Sequence, residues 1–325
     1  MIGATLSDLG LLVPELILVG MASVLVLTAR RLQRTPVAVV GTVLAALAAT
    51  LVAGWDLSGG ARTGFGGMIT LDGYSQFFKV LIGVTLALAA LLSVRSIDRD
   101  QVPRAEYHVL LLLASTGMML AVSALDLLVV YLGLELMTIC SYILVGIRVE
   151  RPTSNEAAIK YFLLSSFASA LLLYGISLTY GVTGATDFTA IAWALSEQDT
   201  GSNPLLLAAI GLVAAGLAFK VSAVPFHAWV PDAYQGASAP VAAFLAAGSK
   251  AAGLAVLGRV CLVAFGSEAH VLSVLLAGLA ALSIVVGSFI ALSQTDMKRL
   301  LAYSSITHVG YALLGLMAGT SEGVS

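Results

Sequence analysis

The chain has 325 residues, of which 59% are hydrophobic and only 10% charged, with a formal net charge of −2 and a mean hydropathy of +1.00. Soluble domains average about 25% charged residues, so this composition excludes a soluble enzyme, a disordered tail, a secreted disulfide scaffold and a nucleic-acid binder. Cys140 and Cys261 both sit in apolar runs, with no CxxC or Cys/His cluster to hold zinc, haem or an iron–sulfur cluster.

A bilayer-spanning helix needs about 20 mostly apolar residues. Ten segments qualify, near 10–29, 37–55, 74–95, 106–123, 125–147, 157–181, 204–224, 240–265, 270–293 and 299–318. The composition and these runs predict an all-α, polytopic membrane bundle forming one transmembrane domain over 1–325, with no room for a soluble domain. The first run continues as a helix without a small-residue cleavage pattern, so no cleavable signal is expected. The glycines of LSGGARTGFGG predict a flexible loop between the second and third spans.

Pro36, Pro103, Pro152, Pro204 and Pro240 lie at or just before predicted helix starts, where a missing N–H costs little. Pro225 and Pro231 do not fit that role. They interrupt LAFKVSAVPFHAWVPDAYQGASAP, and proline removes a helical hydrogen bond. Broken backbone inside a membrane survives only where protein or a wet cavity surrounds it. The seventh span is therefore predicted to be discontinuous, with one piece to about 224 and a short piece from 226 to about 235.

Basic residues mark one set of loops: Arg30, Arg31, Arg34, Arg95, Arg99, Arg104, Arg148, Arg151, Lys298 and Arg299. The alternate loops hold Arg62 and little else, and the loop at 182–203 carries only the acids Asp187, Glu197 and Asp199. By the positive-inside rule the basic set is cytoplasmic and the N-terminus faces outward.

A few charges fall at depth. Glu135 is about ten residues, roughly 15 Å, into the fifth span. Lys220 lies near the break of the seventh, and Lys250 is about ten residues into the eighth. Each such charge costs roughly 2.5–3.5 kcal/mol on insertion scales, and intramembrane ionisable residues mark ion or proton pathways by default. Desolvation disfavours the charged form of a lysine and a nearby carboxylate restores it. Moving Glu135 relative to Lys220 would thus load or release a proton, which Lys250 could take next. A structural ion pair locking two helices is the competing reading. Sodium is less well served, because no carboxylate cluster exists.

Secondary candidates follow from position. His227 falls inside the break and suits a proton relay. His308 lies within the tenth span, flanked by Ser304, Ser305 and Thr307, which can hold water. Lys160 sits near the start of the sixth span, four residues after Glu156; a helix-stabilising pair and a place on the proton path are both open to it. His108 and His270 are expected to be interfacial anchors, and Lys79 and Arg259 to snorkel to the interface without a role.

Six stretches together resemble one family. LLVPELILVG, YLGLELMTICSYILVG, NEAAIKYFLLSSFASALLLYG, FKVSAVPFHAWVPDAYQGASAPVAAFL, GSKAAGLAVLGR and ALSQTDMKRLLAYSSITHVGY resemble the antiporter-like membrane subunits of bacterial NADH–quinone oxidoreductase, respiratory complex I, in its subunit N branch. The other antiporter-like subunits, and those of multisubunit Na⁺/H⁺ antiporters, tend to read DAMEGPTPVSALIHA after the break, where this chain has DAYQGASAPVAAFLAAGSKAA. The resemblance places Glu135 on the family's essential glutamate, Lys160, Lys220 and Lys250 on its lysines, and His227 in the broken helix.

It also implies two inverted five-helix repeats with flanking helices. Residues 10–95 would be flanking helices, 106–265 the first repeat, and 270–318 the start of a second, truncated repeat. The implied function is proton translocation in a bacterial plasma membrane, driven by NADH-to-quinone electron transfer in partner subunits. NADH, FMN, iron–sulfur clusters and quinone would then belong to those partners, with no cofactor in this chain. The partners would be the other membrane subunits of the complex, the lipid bilayer and, at the level of the complex, quinone. The alternatives are a subunit of a multisubunit Na⁺/H⁺ antiporter and a purely structural scaffold.

Overall fold

A computed structural model describes residues 8–32, 37–57, 59–197 and 203–318. Arg34, Pro36, Asp199, the tail beyond Ala318 and the side chains of Arg30 and Arg31 lie outside the described residues. The spanning helices are α1 (Val13–Leu32), α2 (Val37–Asp56), α3 (Gly73–Arg99), α4 (Arg104–Ser123), α5 (Leu127–Gly146) and α6 (Pro152–Thr183). A short α7 (Phe188–Ser196) precedes α8 (Pro204–Val221) and α9 (Trp229–Gly236). α10 (Ala239–Ala264), α11 (Ala269–Leu292) and α12 (Met297–Ala318) complete the bundle. Ten of these segments are long and apolar enough to cross a membrane, and they coincide with the ten expected.

The helix starts show why the ladder breaks where it does. Four orphan N–H groups open every helix. Asp72 caps α3 by accepting from Ser75 N at 2.7 Å. Asp126 accepts from Leu128 N at 2.8 Å at the start of α5, and Asn203 from Leu205 N at 3.0 Å at the start of α8. All three lie at one end of the bundle. Pro152 and Pro204 occupy the first position of α6 and α8, as their missing N–H predicts.

Packing runs α1 on α2 and α4, α2 on α3, α4 on α5, α5 on α6, and α6 on α8 and α9. α10 lies against α3, α4 and α8, and α11 pairs with α12. Hydrocarbon supplies no hydrophobic drive between helices, so close backbone approach matters. A Cβ on Gly133 would lie 2.8 Å from Ala121 N, which sets α5 tightly on α4. One on Gly216 would lie 2.5 Å from Leu172 Cβ, which sets α8 on α6. Gly216 is one turn before Lys220, so this contact seats the lysine against α6.

Two loop expectations are corrected. The glycine-rich segment is a small hairpin: β1 (Arg62–Gly64) pairs antiparallel with β2 (Ile69–Leu71). Its turn uses Gly66 and Gly67 at φ of 69° and 93°, conformations that glycine adopts without steric cost. Among the described residues the helical bundle therefore carries one two-stranded sheet at its rim. The acidic loop holds α7, capped by Asp187 accepting from Ala190 N at 2.9 Å. Strands of three residues are too short for a period to show.

Candidate functional site

Lys220 occupies the last turn of α8 and is 2% exposed. Its Nζ lies 3.2 Å from Glu135 Oε1 and 3.2 Å from Thr138 Oγ1, both on α5. It also lies 3.4 Å from Ser165 Oγ and 3.3 Å from Ser169 Oγ, one turn apart on α6. The Ser169 hydroxyl donates to Glu135 Oε1. An ammonium carries three N–H donors, and here four oxygens are in reach. Its hydrogen bonds can be redistributed without the amine leaving the site. Glu135 is the more open partner, with 21% of its side chain exposed.

The predicted break is present. α8 stops at Val221, and Ser222 turns left-handed at φ 68°. The Ser222 N–H donates back to the Ala218 and Phe219 carbonyls. The Trp229 indole N–H donates to the Phe219 carbonyl at 3.1 Å, and Ser283 Oγ on α11 accepts from Val224 N at 2.9 Å. The freed backbone groups thus find partners inside the protein, as a bilayer requires. Trp229 also stacks on Tyr161, with ring centroids 4.3 Å apart at 5°, which ties α9 to α6. The end of a helix carries the negative pole of its dipole, which favours a cation there.

One detail corrects the sequence reading. Pro231 lies in the first turn of α9, where its missing N–H disrupts nothing; Pro225 alone stands in the break. His227 is half-buried in the break, its ring 6.3 Å from that of Tyr303.

Lys250 is 4% exposed and follows a π-helical turn, Leu245–Ser249, in α10. Such turns recur at functional sites. Its Nζ donates to Ser305 Oγ on α12 and stands 5.7 Å from the centre of the Tyr234 ring. Among the described residues it has no carboxylate within ion-pair distance. Gly253, on the same face one turn on, packs against the break: a Cβ there would lie 3.6 Å from the Lys220 carbonyl oxygen. Ser305, Ser304, Tyr234 and His308 together line a cavity of about 440 Å³. His308 is exposed, and Ser305 links its cavity to Lys250.

Lys160 lies elsewhere, near one end of the bundle. Its Nζ meets Glu156 at 2.7 Å, the i,i+4 pair that spacing suggested. It also meets Asp232 of α9 at 3.1 Å, and Arg299 holds the other Asp232 oxygen at 2.7 Å. Asp232, Ser165, Ser169 and Thr138 were not singled out in the sequence. The signal for the last three was helical spacing: Thr138 is three residues after Glu135, and Ser169 four after Ser165.

The flanking helices hold the largest corrections. Lys79 does not snorkel. It is fully buried and pairs with Glu15 of α1 at 2.7 Å. Arg259 is 7% exposed and grips Asp72 with two hydrogen bonds of 2.8 and 2.9 Å. Burial works to raise the Asp72 carboxyl, but these bonds outweigh it and hold it below its usual range. His108 is fully buried against Tyr107 rather than anchored at an interface. For Lys79 and Arg259 the covering carboxylate comes from a distant element, which the chain order cannot show.

The chain as a whole has counterparts among known proteins. Residues 124–325 match the model of the family described as NADH:quinone oxidoreductase/Mrp antiporter, TM. NADH-quinone oxidoreductase subunit N of Desulfovibrio desulfuricans is 46% identical over 98% of this chain and 64% of its own length. That of Azorhizobium caulinodans is 42% identical over 98% of this chain and 67% of its own. The chain belongs to the subunit N family of NADH-quinone oxidoreductases. Its fold matches a chain of respiratory complex I from Thermus thermophilus with bound Aureothin, at TM-score 0.79 and 37% identity, covering 95% of this chain and 65% of that one. The matched region thus spans 53–67% of the length of the subunit N relatives it resembles, and the chain is a multi-pass membrane protein of the antiporter-like fold.

Proposed function

We propose that this chain translocates protons as a non-redox membrane subunit of NADH–quinone oxidoreductase. NADH oxidation on flavin and iron–sulfur centres, and quinone reduction, belong to partner subunits in this reading. The observation that carries it is the Lys220 ammonium, buried at the helix break between one carboxylate and three hydroxyls. Proton transfer needs donors and acceptors within hydrogen-bond reach, and this cluster provides them at membrane depth. Lys250, Ser305 and His308 continue the track toward a cavity, His227 stands in the break, and Lys160 marks the mouth with Asp232. Residues 106–265 form the repeat that holds the Glu135–Lys220–Lys250 set.

Inverted membrane vesicles carrying the full-length form test this. NADH-driven proton uptake should proceed equally with and without sodium. Uptake that requires sodium, without NADH-linked activity, favours the Na⁺/H⁺ antiporter instead.

The proposed setting is a bacterial plasma membrane, with the N-terminus outward. Single cysteines at Arg151 and Glu197, in a background lacking Cys140 and Cys261, are expected to label from opposite sides, Arg151 from the cytoplasm. Labelling of both from one side overturns the orientation.

A further inference from the structure

At the basic end of the bundle α3 finishes and α10 begins. Between them lies a cavity of about 570 Å³, lined by Leu92, Arg95, Ser96 and Arg99 of α3 and by Ala239, Pro240 and Ala243 of α10. Residues 92, 95, 96 and 99 form one helical stripe. The stripe is apolar at its deeper end and cationic at the helix end. Leu92 is 62% exposed, and Ala243 opposite it is exposed too, so the deeper part opens on the lipid-facing surface.

The charge at the mouth is unbalanced. Among the described residues Arg95 has no carboxylate within ion-pair distance. Arg99 has Asp100 at 3.3 Å, but Asp100 also takes Arg151 at 2.9 Å and Arg148 at 3.4 Å. Burial works to raise the Asp100 carboxyl, and these guanidinium groups outweigh it and hold it low. Three guanidiniums thus share one carboxylate, and Arg95 adds a fourth positive charge. Snorkelling accounts for a single arginine at a helix end. It does not account for a two-helix groove with cations above and an apolar floor below.

We infer that this groove binds an anionic phospholipid. Arg95 and Arg99 take the headgroup phosphate, and Leu92, Pro240 and Ala243 receive the first part of an acyl chain. Guanidinium groups match phosphate oxygens in a two-pronged geometry, and basic pockets between spanning helices recognise anionic headgroups. Free phosphate would meet the same arginines but could not use the apolar floor, so the source is lipid. This site is independent of proton transfer at Lys220.

The test uses the full-length protein in its assembled membrane complex, purified in detergent. It is offered phosphatidylglycerol or phosphatidylcholine in mixed micelles, and retained lipid is counted by native mass spectrometry. The wild type should prefer phosphatidylglycerol. Each arginine contributes about fivefold to that preference, so Arg95→Gln loses about fivefold and Arg95→Gln with Arg99→Gln about 25-fold. Arg62→Gln, at the opposite end of the bundle, should change nothing. The single Arg95→Gln variant breaks no ion pair among the described residues and keeps the test sound if the double variant fails to assemble. Equal retention of the two lipids, undiminished preference in Arg95→Gln, or displacement of the lipid by millimolar inorganic phosphate would overturn the inference.

Discussion

Lys220→Arg, introduced in the full-length protein, is expected to abolish NADH-driven proton uptake while leaving the complex assembled. The guanidinium keeps the positive charge beside Glu135 but stays protonated at physiological pH, so it cannot release its proton. The pocket itself allows charge to be retained: one carboxylate and three hydroxyls lie within 3.4 Å of the amine. Lys220→Ala also removes the titrating group, and it leaves Glu135 buried without its cation. Breaking a buried pair from one side costs about 3–5 kcal/mol, and the lower end applies here because Glu135 is partly exposed. The two variants should therefore differ in amount of assembled complex and agree in lost pumping. Uptake in inverted vesicles, normalised to assembled complex, decides the matter. Wild-type uptake by Lys220→Arg sinks the carrier role and leaves a structural ion pair as the better account.

Lys250→Met should behave differently in stability and alike in transport. Among the described residues Lys250 has the Ser305 hydroxyl and the face of the Tyr234 ring as partners, and no carboxylate within ion-pair distance. Methionine fills the same volume without a charge. Removing the amine orphans nothing, because Ser305 still donates to the Ala302 carbonyl at 3.1 Å. The variant should assemble at least as well as the wild type, since a mid-membrane charge without a counter-ion is costly. A positioned proton-transfer group contributes about 10²–10⁴-fold to the step it serves. Proton uptake should accordingly fall by about tenfold or more. The decisive readouts are uptake per assembled complex and thermal stability of the purified complex. Intact uptake would place Lys250 among structural residues and end the track at Lys220.

Ten spans, their alternating charge and the break before α9 were legible in the chain order, because each depends on local composition. Twenty apolar residues span a bilayer wherever they occur, and a proline beyond the first turn interrupts a helix whatever surrounds it. That Glu135, Lys220 and Lys250 fall within these apolar segments followed from the same counting. Partnership did not. Glu135 and Lys220 are 85 positions apart, and the hydroxyls that join them come from α5 and α6. Lys79 and Arg259 read as snorkelling cations, since nothing near them in sequence is acidic enough to hold them. They are buried because α1 carries Glu15 to one and the start of α3 carries Asp72 to the other. Asp232 reads as an ordinary residue of a polar segment until α6 and α12 bring Lys160 and Arg299 to it. Hydropathy and proline placement act along the chain and so survive in one dimension. Which charges meet depends on which helix faces touch, and close backbone approaches such as those at Gly133 and Gly216 decide that only in the folded bundle.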